Sequence, residues 1–255
     1  MELQKANLWK RIAAWMLDAI LVATLAVGVA ALLSSVLNYD SYSQKHQDNL
    51  DYYAQVHGID RNLSQEAFDA MTEEEKAAYN KSSQAANRDL CADYAAMYNY
   101  NMMVNLALVI FAGSVMISVM AWEFVVPLIL KNGQTIGKKV FGIGLVRPDG
   151  VKISSIQLFV RALLGKYAVE TMIPGFYAVL FFLGALDYTG LIVLGILLLA
   201  EILCVAFTKN HCPIHDMLAS TVTVDIASQR VFNNPAELIE YTKRIHAEKA
   251  NRQDY

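Results

Sequence analysis

Three carboxylates, Asp18, Glu123 and Glu201, stand inside long apolar stretches of this sequence. A carboxylate in hydrocarbon is expensive to insert, by about 2.5–3.5 kcal/mol on insertion scales, so it must be compensated or used. Asp18 is the clearest case. The run Ile12 to Leu37 carries no other charge, and Arg11 stands at its start. Depth relates the three acids: Asp18 lies six residues from Ile12, Glu123 seven from Leu130 and Glu201 six from Phe207. At about 1.5 Å per helical residue, each would sit roughly 9–11 Å from the same membrane face. Facing carboxylates raise one another's pKa through repulsion and desolvation, which suits proton or cation exchange. The alternative is that each acid is separately satisfied by Arg11, Arg161, Lys166 or a helix terminus.

Arg11 and Asp18 share a helix face but are separated by a rise of about 10 Å, too far for direct contact. Asp216, nine residues beyond Phe207, supplies a third partner. Arg11, Asp216 and Arg161 are therefore expected to form a structural ion network. His215 beside Asp216 titrates in the right range for a proton site, but a lone histidine is more often a hydrogen-bonded group. Other chemistry is not indicated. Cys91, Cys204 and Cys212 show no paired spacing and no metal motif. There is no nucleophile–base pair, and the stretch from Gly133 to Lys139 is too short for a Walker loop. The expectation is no enzyme, no cofactor and no resident metal.

The elements that must position these residues are membrane spans. The chain has 255 residues, 55% of them hydrophobic and only 18% charged, below the roughly 25% of a soluble domain. A span needs about 20 apolar helical residues. The runs Ile12–Leu37 and Met102–Leu130 qualify. The apolar segment 172–207 is too long for one crossing, and Asp187-Tyr188-Thr189-Gly190 interrupts it with turn-prone residues. It reads as two spans, Met172–Leu186 and Thr189–Phe207. The first run is too long for a cleavable signal, so it is read as an uncleaved span.

Orientation follows from Lys and Arg. The segment 131–171 holds seven basic residues, whereas 38–101 holds five against eleven acidic. The termini are therefore expected in the cytoplasm and 38–101 outside, with the cell membrane as location. Between the spans, Thr72 and Glu75 form a capping box that opens a helix through Ala86, and 63–71 suggests a shorter one before it. Arg147-Pro148-Asp149-Gly150 is turn chemistry between strands Val140–Val146 and Val151–Ile153, which the alternating run from Ser220 to Ile226 should join in a small sheet. Ser154 to Glu170 is amphipathic, its apolar stripe including Ile156, Phe159, Leu163 and Leu164, with Arg161 and Lys166 off the stripe. It fits a membrane interface or a packing face. Pro235 to Lys249 reads as a solvated helix.

The fold class is thus an all-α multi-pass membrane protein: a four-span helical bundle with an interfacial helix, a small cytoplasmic β-sheet and an extracellular helical insertion. The boundaries are 1–37, 38–101, 102–226 and a charged tail, 227–255.

Four motifs in order resemble the RDD family of membrane proteins. They are Lys10 to Asp18; Gly133 to Lys139 followed by Gly142; Phe159 to Leu164; and His215 to Thr221. The resemblance implies that the signature arginine is Arg11 and the aspartates Asp18 and Asp216. The sequence departs from the family in its long 38–101 segment, in Ser220 where glycine is common, and in Glu123 and Glu201, which lie outside the signature. Transport of an undetermined ligand is the usual suggestion for the family, and Na⁺/H⁺ antiport has been put forward for some relatives.

Two functions compete. A small transporter or transporter subunit would bind cations or protons at Asp18, Glu123 and Glu201, and four spans would call for a homo-oligomer. A scaffold or assembly factor would instead dock protein partners on the insertion and tail. The lipid bilayer is the common partner in both, and nothing points to nucleic acid.

Overall fold

The computed structural model describes residues 3–131, 133–182, 188–208 and 212–253. Among the described residues, three helices are long and apolar enough to cross a membrane: α1 (Leu8–Val36), α5 (Tyr94–Leu130) and α8 (Tyr188–Phe207). The described part of the third expected span is Ile173–Phe182, the end of a longer helix, α7, which runs without a break over 155–182. The expected turn at 187–190 lies partly outside the described residues; Tyr188, Thr189 and Gly190 form the first turn of α8.

The chain divides into two compact units, Gly28–Ser114 and the remainder. Within Gly28–Ser114, Asn38 adopts left-handed backbone between α1 and α2 (Tyr39–Val56). Helix α3 (Gln65–Asp69) is capped by Ser64. The Thr72–Glu75 capping box opens α4 (Glu73–Ala92), which runs six residues past the expected end at Ala86. Asp93 then accepts from the Ala95 and Ala96 N–H groups and starts α5. Helices α2 and α4 are tied by His57 to Asp89 at 3.0 Å, and Tyr53 donates to Asp93 at 3.0 Å. The 38–101 segment is therefore a folded helical unit.

In the other unit, β1 (Ile143–Val146) and β2 (Val222–Asp225) pair antiparallel, with Val146 opposite Val222. The N-terminal segment adds along the β2 edge through Ala6 N–H to Thr223 O and Asp225 N–H to Gln4 O. Val146, Cys212, Val222 and Val224 form a small apolar core under it. The turn at 147–150 is present, closed by Gly150 N–H to Arg147 O at 2.9 Å with Gly150 at φ 83. The returning segment makes only isolated bridges, Val146 to Lys152 and Val151 to Phe232. The strand expected from Val140 starts later, because Thr135 accepts from the Lys138 N–H and caps a helix, α6 (Ile136–Val140). A β-branched run after a good N-cap was a local tie that the cap decided.

The apolar stripe of α7 is divided: Phe159 packs edge-on against Phe124, with ring centroids 5.6 Å apart, and other stripe residues face outward. Ile156 is 76% and Leu164 51% exposed, while Arg161, Ala162 and Gly165 are buried. Ile156 and Leu164 thus face outward, and the side carrying Arg161, Ala162 and Gly165 is the packing face. Residues 161–172 of α7 are π-helical, as are 121–125 of α5. Gly165 permits the contact with α9 (Ile214–Leu218): a Cβ there would lie 2.7 Å from His215 Cα. The last helix, α10, spans Pro235–Gln253.

Ser220 ends α9 in left-handed backbone at φ 51, which lets Thr221 N–H reach Asp216 O at 2.9 Å. That conformation costs a residue with a side chain about 1–2 kcal/mol. Ser220→Gly is therefore expected to stabilise the protein by about 0.5–1 kcal/mol, allowing for glycine's larger entropy loss. Thermal unfolding in detergent reads this; a lower Tm would contradict it.

Candidate functional site

The ionisable residues inside this unit form one connected network. It begins on α1 with Asp18, only 3% exposed. Its carboxylate accepts from Trp122 Nε1 on α5 at 2.9 Å, from the Gly137 N–H on α6 at 2.9 Å, and from the Thr135 hydroxyl. Three donors from two other elements thus replace the lost water. Gly137 is required by closeness as well as by its N–H: a Cβ would lie 2.8 Å from Asp18 Cγ and closer still to the Ala14 carbonyl oxygen.

Lys138 connects this anchor to the next acid. Its Nζ donates to Thr135 Oγ1 at 3.3 Å and lies 3.6 Å from Glu123, and the residue is buried. Burial pulls the Lys138 ammonium down to about 8, against the pull of Glu123, with Arg161 and Lys166 adding repulsion. A lysine that releases its proton close to neutral pH is unusual and is made by exactly such desolvation and like charge.

Glu123 meets three cations: Arg161 at 2.7 Å, Lys166, and Lys138. Arg161 and Lys166 are five residues apart, and the i to i+5 hydrogen bonding of the π-helical stretch brings both onto one acid. Arg161, 1% exposed, also donates through Nε to Asp216 at 2.8 Å. Asp216 accepts further from the Thr221 and Thr223 hydroxyls, each at 3.1 Å. Burial alone would raise the Asp216 carboxyl, but Arg161 first and His215 next hold it well below the usual carboxylate range. His215, beside it, is pushed down by burial and by Arg161, against Asp216 and Glu170. Its Nδ1 faces Glu170, and Glu201 accepts from the Ile214 N–H at 3.1 Å.

The candidate residues therefore separate. Asp18 and Glu123 are joined through Thr135 and Lys138, whereas Glu201 sits with Glu170 and His215 at the start of α9. Each acid has its own donors: Glu123 has Arg161 and Lys166, Glu201 a helix terminus, and Asp18 a set the sequence did not suggest. Of the expected structural network, Arg161 and Asp216 bond directly. Arg11 is half-buried on α1, and its charge lowers the Cys212 thiol, which burial and Asp216 raise to about 11. Lys138, Glu170, Thr135 and Trp122 were missed. Thr135 and Lys138 sit in the quoted glycine-flanked loop motif, so their signal was motif membership without a role.

Removing one member of a buried ion group leaves an uncompensated charge, at about 3–5 kcal/mol. Arg161→Met should cost that much, read as a fall in Tm, and adding Glu123→Gln should recover part of it. The depressed Asp216 carboxyl contributes stability in full above about pH 4 and loses it as pH falls towards the folded value. Arg161→Met should shrink that acid-side loss. An Arg161→Met protein as stable as wild type would contradict the network.

Comparison with curated proteins and with solved structures finds no match. The RDD family model matches residues 5–220, which is most of the chain and contains every charged residue of the network. The chain belongs to the RDD family, and its apolar helices are those of a membrane protein.

Proposed function

We propose that this protein is a small membrane transporter, or a transporter subunit, that exchanges protons or cations at the network around Glu123. The observation that carries the reading is the place of Lys138: a buried ammonium 3.6 Å from Glu123 and bonded to Thr135, which bonds Asp18, where burial pulls its pKa down to about 8. The charged groups facing it are Glu123 on α5, Asp18 on α1, and Arg161 and Lys166 on α7. Loss of its proton changes the charge balance on Glu123 without breaking the Arg161 bridge, so the site can cycle while the fold holds. Asp18 acts as the anchor of the loop that carries Lys138, and Glu201 lies in a neighbouring cluster. The reading takes both termini as cytoplasmic, 38–101 as extracellular, the apolar end of α7 as the third of four crossings in the cell membrane, and a homo-oligomer as the working form.

A scaffold function is the second reading. What favours it is the folded insertion, which exposes Tyr52, Val56 and Tyr94, residues suited to a protein partner.

Lys138→Arg separates the two, because arginine keeps the charge but does not release a proton. Proton flux into proteoliposomes under pH and Na⁺ gradients is expected to fall at least about tenfold in this variant, the loss of one titrating group. Labelling of the exposed Cys91 by an impermeant thiol reagent gives the sidedness of insertion. Wild type without flux under either gradient, or a folded Lys138→Arg protein with unchanged flux, would overturn the transport reading.

A further inference from the structure

We propose that Glu170, Glu201 and His215 form a binding site for a divalent transition-metal cation. The three residues come from three elements, the π-helical stretch of α7, the end of α8 and the start of α9. One ligand atom from each lies within 4.8 Å of the others. Ligand atoms at about 2.0–2.2 Å from a metal stand roughly 3–3.5 Å apart, so small side-chain rotations close the set.

The imidazole supplies a second observation. Nδ1 of His215 faces Glu170, and Nε2 stands 3.4 Å from Asp216. A neutral imidazole has a single N–H for these two carboxylates. Without a metal the Nδ1–H donates to the Glu170 carboxylate; a cation would displace that proton and take the Nδ1 lone pair together with the Glu170 oxygen. A ligating histidine with its other nitrogen on a carboxylate is the usual arrangement at metal sites. Here that carboxylate is itself fixed by Arg161, Thr221 and Thr223.

Charge points the same way. Glu170 and Glu201 repel each other in a half-buried position. Lys166, whose charge reaches both, is already bonded to Glu123. Main-chain N–H groups of His215 and Ile214 pre-orient the two carboxylates, each at 3.1 Å. One imidazole with two carboxylates suits Zn²⁺, Mn²⁺, Fe²⁺ or Co²⁺; Ca²⁺ and Mg²⁺ prefer oxygen alone, and Cu⁺ prefers sulfur. Such an ion would tie the ends of α7, α8 and α9 together whether or not the protein transports anything.

The test is Co²⁺ titration of the full-length, chelator-stripped protein in detergent, followed by visible absorption, with Zn²⁺ as competitor. One Co²⁺ per chain is expected, displaced by Zn²⁺. Glu201→Gln, which keeps an acceptor for the Ile214 N–H, and His215→Ala should each weaken binding at least about tenfold. Glu240→Gln on the exposed face of α10 should leave it unchanged. No saturable binding by folded wild type would overturn the site, as would binding of equal strength in folded Glu201→Gln and His215→Ala.

Discussion

The Arg161 guanidinium, buried between Glu123 and Asp216, is the interaction on which this unit depends. Charges removed from water are costly by several kcal/mol each, and their mutual attraction repays this only when geometry and remaining hydrogen bonds are complete. Here they are. Nη1 takes Glu123 and Nε takes Asp216, while Lys166 and Lys138 serve Glu123 and two threonine hydroxyls serve Asp216. The bridge joins α5, α7 and α9, so these elements have one mutual arrangement in which no acid is left bare. It also explains why the Arg161 side of α7 faces inward: Glu123 and Asp216 are there to pair the guanidinium.

A second constraint holds the loop after α5. Asp18 gathers a tryptophan, a threonine and a main-chain N–H, and so docks α6 on α1. That docking carries Lys138 to Glu123. Anchor and bridge thus divide the work: one sets position, the other holds charge, and Lys138 stands between them, bonded to Thr135 and 3.6 Å from Glu123. The Glu170–His215–Glu201 cluster extends the same network past Asp216, where like charges are less fully matched.

Much of this was legible in the sequence. The apolar runs located α1, α5 and α8, the capping box at Thr72 placed the start of α4, and alternation identified β2. The RDD-like motifs marked Asp18 and Asp216 as residues that matter. What was not legible came from tertiary pairing. The π-helical register that aims Arg161 and Lys166 at one acid leaves no pattern in hydropathy. The Gly137 N–H is invisible to side-chain reasoning. Glu170, Glu201 and His215 are far apart in sequence, so their spacing could not suggest a common site. Asp18, Glu123 and Glu201 were grouped by their distance from the span ends, and such a distance does not say which direction a side chain takes around its helix.

The central claim is that the buried network contains one lysine poised to exchange its proton, and ¹⁵N NMR of the Lys138 amine tests it most directly. A titration in detergent should show a midpoint near 8, and in Glu123→Gln a lower one, since the acid's attraction is then gone. A midpoint at the ordinary lysine value of about 10.4, indifferent to Glu123, would contradict the account.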